Sequence, residues 1–509
     1  MTLSQITFAA FCMFGIATAT SPAQESQSRK LESQKPEAQA SDPSILFAGI
    51  GVTDISPPLA FPMAGYYHER LSDGTADPLK AKAIVFRQGK KFAAIVVCDL
   101  IGISTDLSHE IRKSAFQKTG IPMDNIVVAA THTHTAPDYM RELWWNLGGQ
   151  RQDPARAKYV RRLIDGPVEA IVAAVSDLQP SSLASGSATQ KTPVAFNRRF
   201  VMRDGTVKTW QKFSNPNVVR TAGPIDPEIG LLAIRDWKTK KTRGIISNFA
   251  LHLDTVGGTK WSADYPHFIS ETIKKAVGTD TVSVFATGCC GDINHSDPDN
   301  AARNKADFIG NSIGDSIVGE LKDLTTLKQT DLVVKSMIVK LPLREVTTED
   351  VEKAIEVITA ANNKEKVDFF EHVTAHIKLT LDRLRNRKPI AKANELLRSG
   401  ISRKLAGVGE ELPVQITAIT LGQDVAIVCL PGEVFVELGL AIKRASPFKT
   451  TIVIELSNAG ETAYIPNRIA YAGGGYEVTN STLKPGGGEI LVESALTLLQ
   501  QAVAARGSK

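Results

Sequence analysis

Two histidines stand two residues apart in Thr131-His132-Thr133-His134-Thr135-Ala136-Pro137-Asp138. In extended chain that spacing turns both imidazoles to one side, so that one can hold a metal while the other faces a substrate. Neutral imidazole is the commonest metal ligand, and catalytic zinc needs about three protein groups plus an open position for water. His252 closes the apolar run Asn248-Phe249-Ala250-Leu251-His252; taken alone, it fits a metal ligand or a satisfied strand end equally well. Glu433 follows Pro431-Gly432 and precedes an apolar helical stretch, where the helix macrodipole by itself accounts for a carboxylate. His372 and His376 have the i, i+4 spacing of a helical zinc site, but Val373 stands where a zincin carries its glutamate base, and the polar segment around them reads as a solvated helix face. Gly473-Gly474-Gly475 lacks the strand–turn–helix setting of a phosphate loop and reads as a plain loop.

The elements that must place these groups alternate between short β-branched runs and amphipathic helices. Strands are expected at 81–87 and 92–100, followed by a helix capped at Ser104 or Thr105 and stopped at Gly120. A strand at 125–130 then runs directly into the paired histidines, and the loop beyond a strand end is where α/β sheets keep their sites. A helix at 157–178, a hairpin at 230–237 and 243–251, a helix at 265–277 and a strand at 282–286 follow. Residues 346–400 are dense in Lys, Glu, Arg and Asn with helical periodicity, which reads as a helical insertion. Strands resume at 414–421, 425–430 and 451–456, Gly486-Gly487-Gly488 marks another loop, and a helix closes the chain over 489–505. The fold class is α/β, with mixed sheets flanked by helices.

At 509 residues, with 43% hydrophobic and 22% charged side chains, the chain has the composition of a large globular protein rather than a disordered or coiled-coil one. The net charge of +5 comes from scattered residues and gives no basic arm or stripe for nucleic acid. The cysteines Cys12, Cys98, Cys289, Cys290 and Cys429 form no CxxC pair and no regular disulfide framework. The apolar opening from Ile6 to Ala19 is too short to span a bilayer, and small residues follow it. Residues 1–23 therefore read as a signal peptide and the polar stretch 24–43 as a disordered leader, with a secreted or periplasmic protein expected; no later run is apolar enough to cross a membrane.

Several pieces line up in one order: Gly49-Ile50-Gly51-Val52-Thr53-Asp54-Ile55-Ser56-Pro57, Met63-Ala64-Gly65-Tyr66, the Thr-His-Thr-His-Thr run, Ser247 to His252, Gly291-Asp292, Leu430-Pro431-Gly432-Glu433 and Ala463-Tyr464. Together they resemble the catalytic domain of the neutral, non-lysosomal ceramidases, from about residue 44 to 509. The resemblance implies a zinc (Zn2+) amidase that cleaves the N-acyl bond of ceramide or a related lipid. It implies His132, His252, Glu433 and Tyr464 as zinc ligands and His134, with Tyr464, as catalytic groups. Asn197, Arg198, Asp264 and Asn294 fall at positions that line the substrate site. Where the family writes Gly-Asp-Val-Ser-Pro, this chain has Gly291-Asp292-Ile293-Asn294-His295, so a serine-dependent step is not expected. Zinc needs no serine, because it lowers the pKa of its bound water to about 7 and polarises the acyl oxygen. Unlike the family, the chain is expected to carry the helical insertion at 346–400 and no C-terminal immunoglobulin-like domain. Two other readings remain open: an esterase or amidase acting on a non-lipid substrate, and a non-catalytic secreted binding protein that retains the fold.

Overall fold

The computed structural model describes residues 44–149, 153–299, 305–397 and 401–507; the expected signal peptide and leader lie outside them. The main sheet is built from β1 (Leu46–Asp54), β2 (Lys80–Gln88), β3 (Lys91–Cys98), β4 (Ile126–Ala130), β5 (Gln179–Thr189), β6 (Glu228–Asp236), β7 (Thr242–Phe249) and β8 (Val282–Thr287). Their spatial order is β8-β7-β6-β5-β1-β2-β3-β4, with the short strand Thr325–Thr326 paired to β5. β3 and β4 run parallel, as do β7 and β8, and the strands between pair antiparallel, so the sheet is mixed. A second sheet has the order β9 (Leu332–Pro342), β10 (Glu411–Leu421), β11 (Val425–Cys429) and β12 (Thr450–Ile454).

The two sheets bury their facing sides against each other. Ile84, Ile95 and Val127 of the main sheet share one core with Ile419, Ile427 and Ile452 of the second. The alternate residues Ala83, Val96 and Val128 face the other way, onto α1 (Thr105–Thr119) and α3 (Pro154–Ser176), while α2 (Met140–Leu147) adds Leu143 to that layer. With both faces covered, β4 needs apolar residues throughout, and all five are buried. Its open edge is closed by Ser457 and Asn458: Asn458 donates its backbone N–H to Val128 and accepts from the Val128 N–H through Oδ1 at 3.0 Å. α4 (Tyr265–Val277) and α5 (Ala306–Glu320) cover β5 to β8.

Within the segment expected to be helical, the described residues form α6 (Thr348–Asn362), α7 (Phe369–Arg385) and α8 (Ala391–Leu396). α7 is not a solvated face. Its Ile377, Leu381 and Leu384 enter the core of the second sheet, and Ala375 and Leu379 pack on α6 and α8. α9 (Val436–Ala445) and α10 (Gly487–Gly507) complete the outer layer. α10 begins inside the glycine run expected as a loop, because Leu491, Ala495, Leu498 and Leu499 are buried on one face and pull the first turn into register.

Candidate metal centre

His132 and His252 come from the segments that follow β4 and β7. The two segments continue past the sheet side by side, with Thr133 bridged to Leu253 and the His134 N–H donating to Leu253. His132 sits in the left-handed region at φ 79°, which L-residues rarely occupy and which costs about 1–3 kcal/mol. Its backbone N–H is held by the Leu100 carbonyl and its Nδ1–H donates to the Ile101 carbonyl at 2.6 Å. His252 donates from Nδ1 to the Cys290 carbonyl at 3.1 Å. A carbonyl only accepts, so each ring carries a proton on Nδ1, and the neutral form of each presents a bare lone pair on Nε2.

Those two Nε2 atoms lie 2.9 Å apart, with Glu433 Oε2 at 3.3 Å from His132 and 3.5 Å from His252. Three acceptors therefore point at one another inside the protein, and Glu433 Oε2 has no hydrogen-bond donor. Protonating an imidazole would relieve them, but burial, aided by Arg198 and the neighbouring rings, holds His252 well below the usual histidine range. A divalent cation fits this donor set: two imidazole nitrogens and a carboxylate are borderline ligands of the kind zinc takes.

Glu433 reaches the site by a device the sequence did not reveal. It does not serve a helix start. Asp292 Oδ1 takes that role, accepting from the Val436 N–H at 2.8 Å, while Glu433–Val434 pairs as a short parallel strand with Tyr464–Ile465. The Glu433–Tyr464 register puts both side chains on one face; burial opposes ionisation of Glu433, but the charge of Arg198 and a hydrogen bond from the Tyr464 hydroxyl favour the carboxylate. Gly432, at φ 65°, permits the turn before it; a Cβ there would stand 2.0 Å from Thr462 Oγ1.

His134 completes a group of three histidines whose ligand atoms all lie within 4.8 Å of one another. Neither of its ring nitrogens has a hydrogen-bond partner, and its Nδ1 is 3.7 Å from Asp254 Oδ1. Burial and the adjacent His132 push its pKa down to about 3, so the ring is neutral. Arg198 donates to the Tyr464 hydroxyl at 3.1 Å and to Glu477 Oε1 at 2.8 Å, and it borders the site.

The other sequence-derived positions are set back. Asn197 bridges Asp292 and the Pro224 carbonyl; Asn294, opposite Phe196, accepts from the Ser296 N–H. Asp264 caps α4 and accepts from the Thr255 hydroxyl and from the Thr255 and Val256 N–H groups, which fastens the loop after His252. Cys289 and Cys290 are both free, and the Cys290 thiol donates to Glu455.

Two cavities of about 380 Å³ each meet at the centre, sharing Tyr66, Tyr67, His134, Tyr464 and Tyr476. The first also meets Glu69, Arg141, Glu142 and Arg156, and the second meets Trp210 and Phe369. Tyr67 and Tyr476 escaped the sequence reading because neither belongs to a periodic run, Tyr67 lying in a loop beside Tyr66 and Tyr476 opening a single-turn helix; the only signal was that Tyr66 and Tyr476 each follow a glycine.

A family model described as neutral/alkaline non-lysosomal ceramidase, N-terminal, matches residues 47–264. Over those residues the chain is similar to that family. The ceramidase match takes in His132, His134 and His252; Glu433 and Tyr464 lie beyond it. Among solved structures, the chain is similar to the neutral ceramidase from Pseudomonas aeruginosa, with a TM-score of 0.63 and 19% identity over 90% of this chain and 75% of that one. It is also similar to a ceramidase complexed with C2, with a TM-score of 0.65 and 19% identity over 91% of this chain and 76% of that one. These likenesses establish a ceramidase fold. No match is found among curated protein sequences.

Proposed function

We propose that this chain is a zinc-dependent hydrolase that cleaves an N-acyl amide bond. The observation that carries the reading is the convergence of three buried ligand atoms, His132 Nε2, His252 Nε2 and Glu433 Oε2, within 3.5 Å of one another, the last without a hydrogen-bond partner. His132, His252 and Glu433, with Tyr464, would hold the metal. A zinc ion so bound supplies Lewis acidity toward the acyl oxygen and lowers the pKa of a coordinated water.

The remaining groups have separate tasks. The Ile101 and Cys290 carbonyls fix the tautomer and aim of the two imidazoles. The Tyr464 hydroxyl, oriented by Arg198, is the hydrogen-bond donor for the oxygen that gains charge as the carbonyl carbon becomes tetrahedral. His134, neutral and without a hydrogen-bond partner, takes a proton from the attacking water and returns it to the nitrogen as the C–N bond breaks, leaving a carboxylic acid and an amine. Asn197, Asp264 and Asn294 act by positioning Arg198, the His252 loop and the Asp292 segment.

The family match makes ceramide or a related N-acyl lipid the first candidate substrate. The charged lining of the first cavity, Glu69, Arg141, Glu142 and Arg156, favours as a second reading an N-acyl compound or ester with a polar head. Residues 1–23 are proposed as an export signal, 24–43 as a leader and 44–509 as the catalytic unit, which places the enzyme outside the cytoplasm. No helix among the described residues is long and apolar enough to cross a membrane. The test is metal analysis of the purified protein together with hydrolysis of ceramide, short N-acyl amines and esters. About one zinc per chain with amide cleavage supports the reading, whereas bound zinc without turnover on any of them favours a binding protein.

A further inference from the structure

The second histidine pair in the chain, His372 and His376, does not lie on open surface. Both imidazoles are half-buried on the face of α7 that meets the site, their rings 5.8 and 5.5 Å from that of Tyr67. His376 lines the first cavity, His372 the second, and Tyr67 both, so the pair stands on the ridge between the two. Their Nε2 atoms are 3.2 Å apart.

That separation is a ligand spacing. Metal–imidazole bonds of about 2.0–2.1 Å, opened by the angles of octahedral or tetrahedral sites, place two coordinating nitrogens about 2.9–3.4 Å apart. Successive turns of one helix already hold the pair there, so no side chain has to be brought from afar. From this geometry we infer that His372 and His376 form a second site for a borderline transition-metal ion such as Zn2+ or Cu2+, distinct from the His132–His252–Glu433 centre.

The two sites differ in kind. Among the described residues, the group of three potential ligands is His132, His134 and His252. The α7 pair is therefore a two-point site whose remaining positions go to water, and its metal exchanges more readily. A metal seated on the ridge narrows the approach to His134 and Tyr464 from both cavities. Excess zinc then slows turnover, a corollary that rests on the hydrolase reading; binding itself does not.

The test is equilibrium dialysis of the full chain against Zn2+, compared among wild type, H372A, H376A and H132A. Circular dichroism verifies folding, which on α7 depends on Ile377, Leu381 and Leu384 rather than on the imidazoles. Wild type is expected to hold one tight and one weak equivalent. H372A and H376A should each lose the weak equivalent and keep the tight one, and H132A should do the reverse. Cu2+ bound at the weak site should show two imidazole nitrogens by electron paramagnetic resonance. A weak equivalent that survives in both α7 variants, or that is missing from wild type, overturns the assignment. Inhibition of N-acyl hydrolysis by excess zinc should disappear in H376A; its persistence there, with the weak equivalent lost, overturns the corollary alone.

Discussion

Glu433 and Tyr464 are partners in a two-residue parallel bridge, and that register alone brings a carboxylate and a phenol from 31 positions apart onto one face of the site. The phenol is buried, 6% exposed, and Arg198 fixes its oxygen from behind. Tyr464→Phe keeps the packing and removes only the hydroxyl. On the proposed mechanism kcat should fall about 10²–10³-fold, the usual loss for one donor to a developing oxyanion. Steady-state kinetics with metal content measured in parallel checks this, and an unchanged kcat would remove Tyr464 from the chemistry.

His132→Ala should abolish metal and activity together, since it deletes one of the facing Nε2 atoms. His134→Ala should retain metal and lose turnover by about 10²–10⁴-fold, as expected for a general acid–base group. Zinc analysis by mass spectrometry separates the two, and equal zinc loss in both variants contradicts the division of roles and makes His134 a ligand.

Gly432→Ala forces a side chain into a left-handed position and against Thr462. The expected cost is about 1–3 kcal/mol in chemical denaturation. Because Gly432 leads directly into Glu433, activity should fall further than the stability loss explains.

Glu461 offers a pH test away from the metal ligands. Its carboxylate accepts from the Thr105 N–H and hydroxyl at the start of α1, and burial raises its pKa from 4.5 to about 7. The folded protein therefore binds this proton more tightly than the unfolded chain does. The resulting stabilisation is fully present below about pH 4.5 and is lost as pH rises through about 7, amounting to on the order of 3 kcal/mol. Glu461→Gln should flatten that part of the stability–pH curve in urea titrations, and an unaltered slope would exclude Glu461 as its source.

The paired histidines were legible because their chemistry is local: one short motif leaving one strand. Glu433 was not, because its place depends on a bridge to Tyr464, and the anion that does serve the start of α9 is Asp292, 144 residues upstream. The layering of strands and helices followed from periodicity. That the strands divide between two sheets packed face to face did not, since β4 and β11, in different sheets, are alike five-residue apolar runs. The polar reading of α7 failed for a related reason: Tyr67, which covers its histidines, comes from about three hundred positions earlier, and no window along the chain contains both.

The proposed ligands are spread from position 132 to position 464 of a 509-residue chain. A nascent polypeptide therefore has no complete set of donors until nearly all of it has been made. On the proposed function, cofactor acquisition would be a late event in biogenesis, and the ion would tie the first third of the protein to its last tenth. Proteolytic nicking at an exposed loop between them should leave the pieces associated through the shared core of the two sheets, with the metal lost to a chelator more readily than from the intact chain.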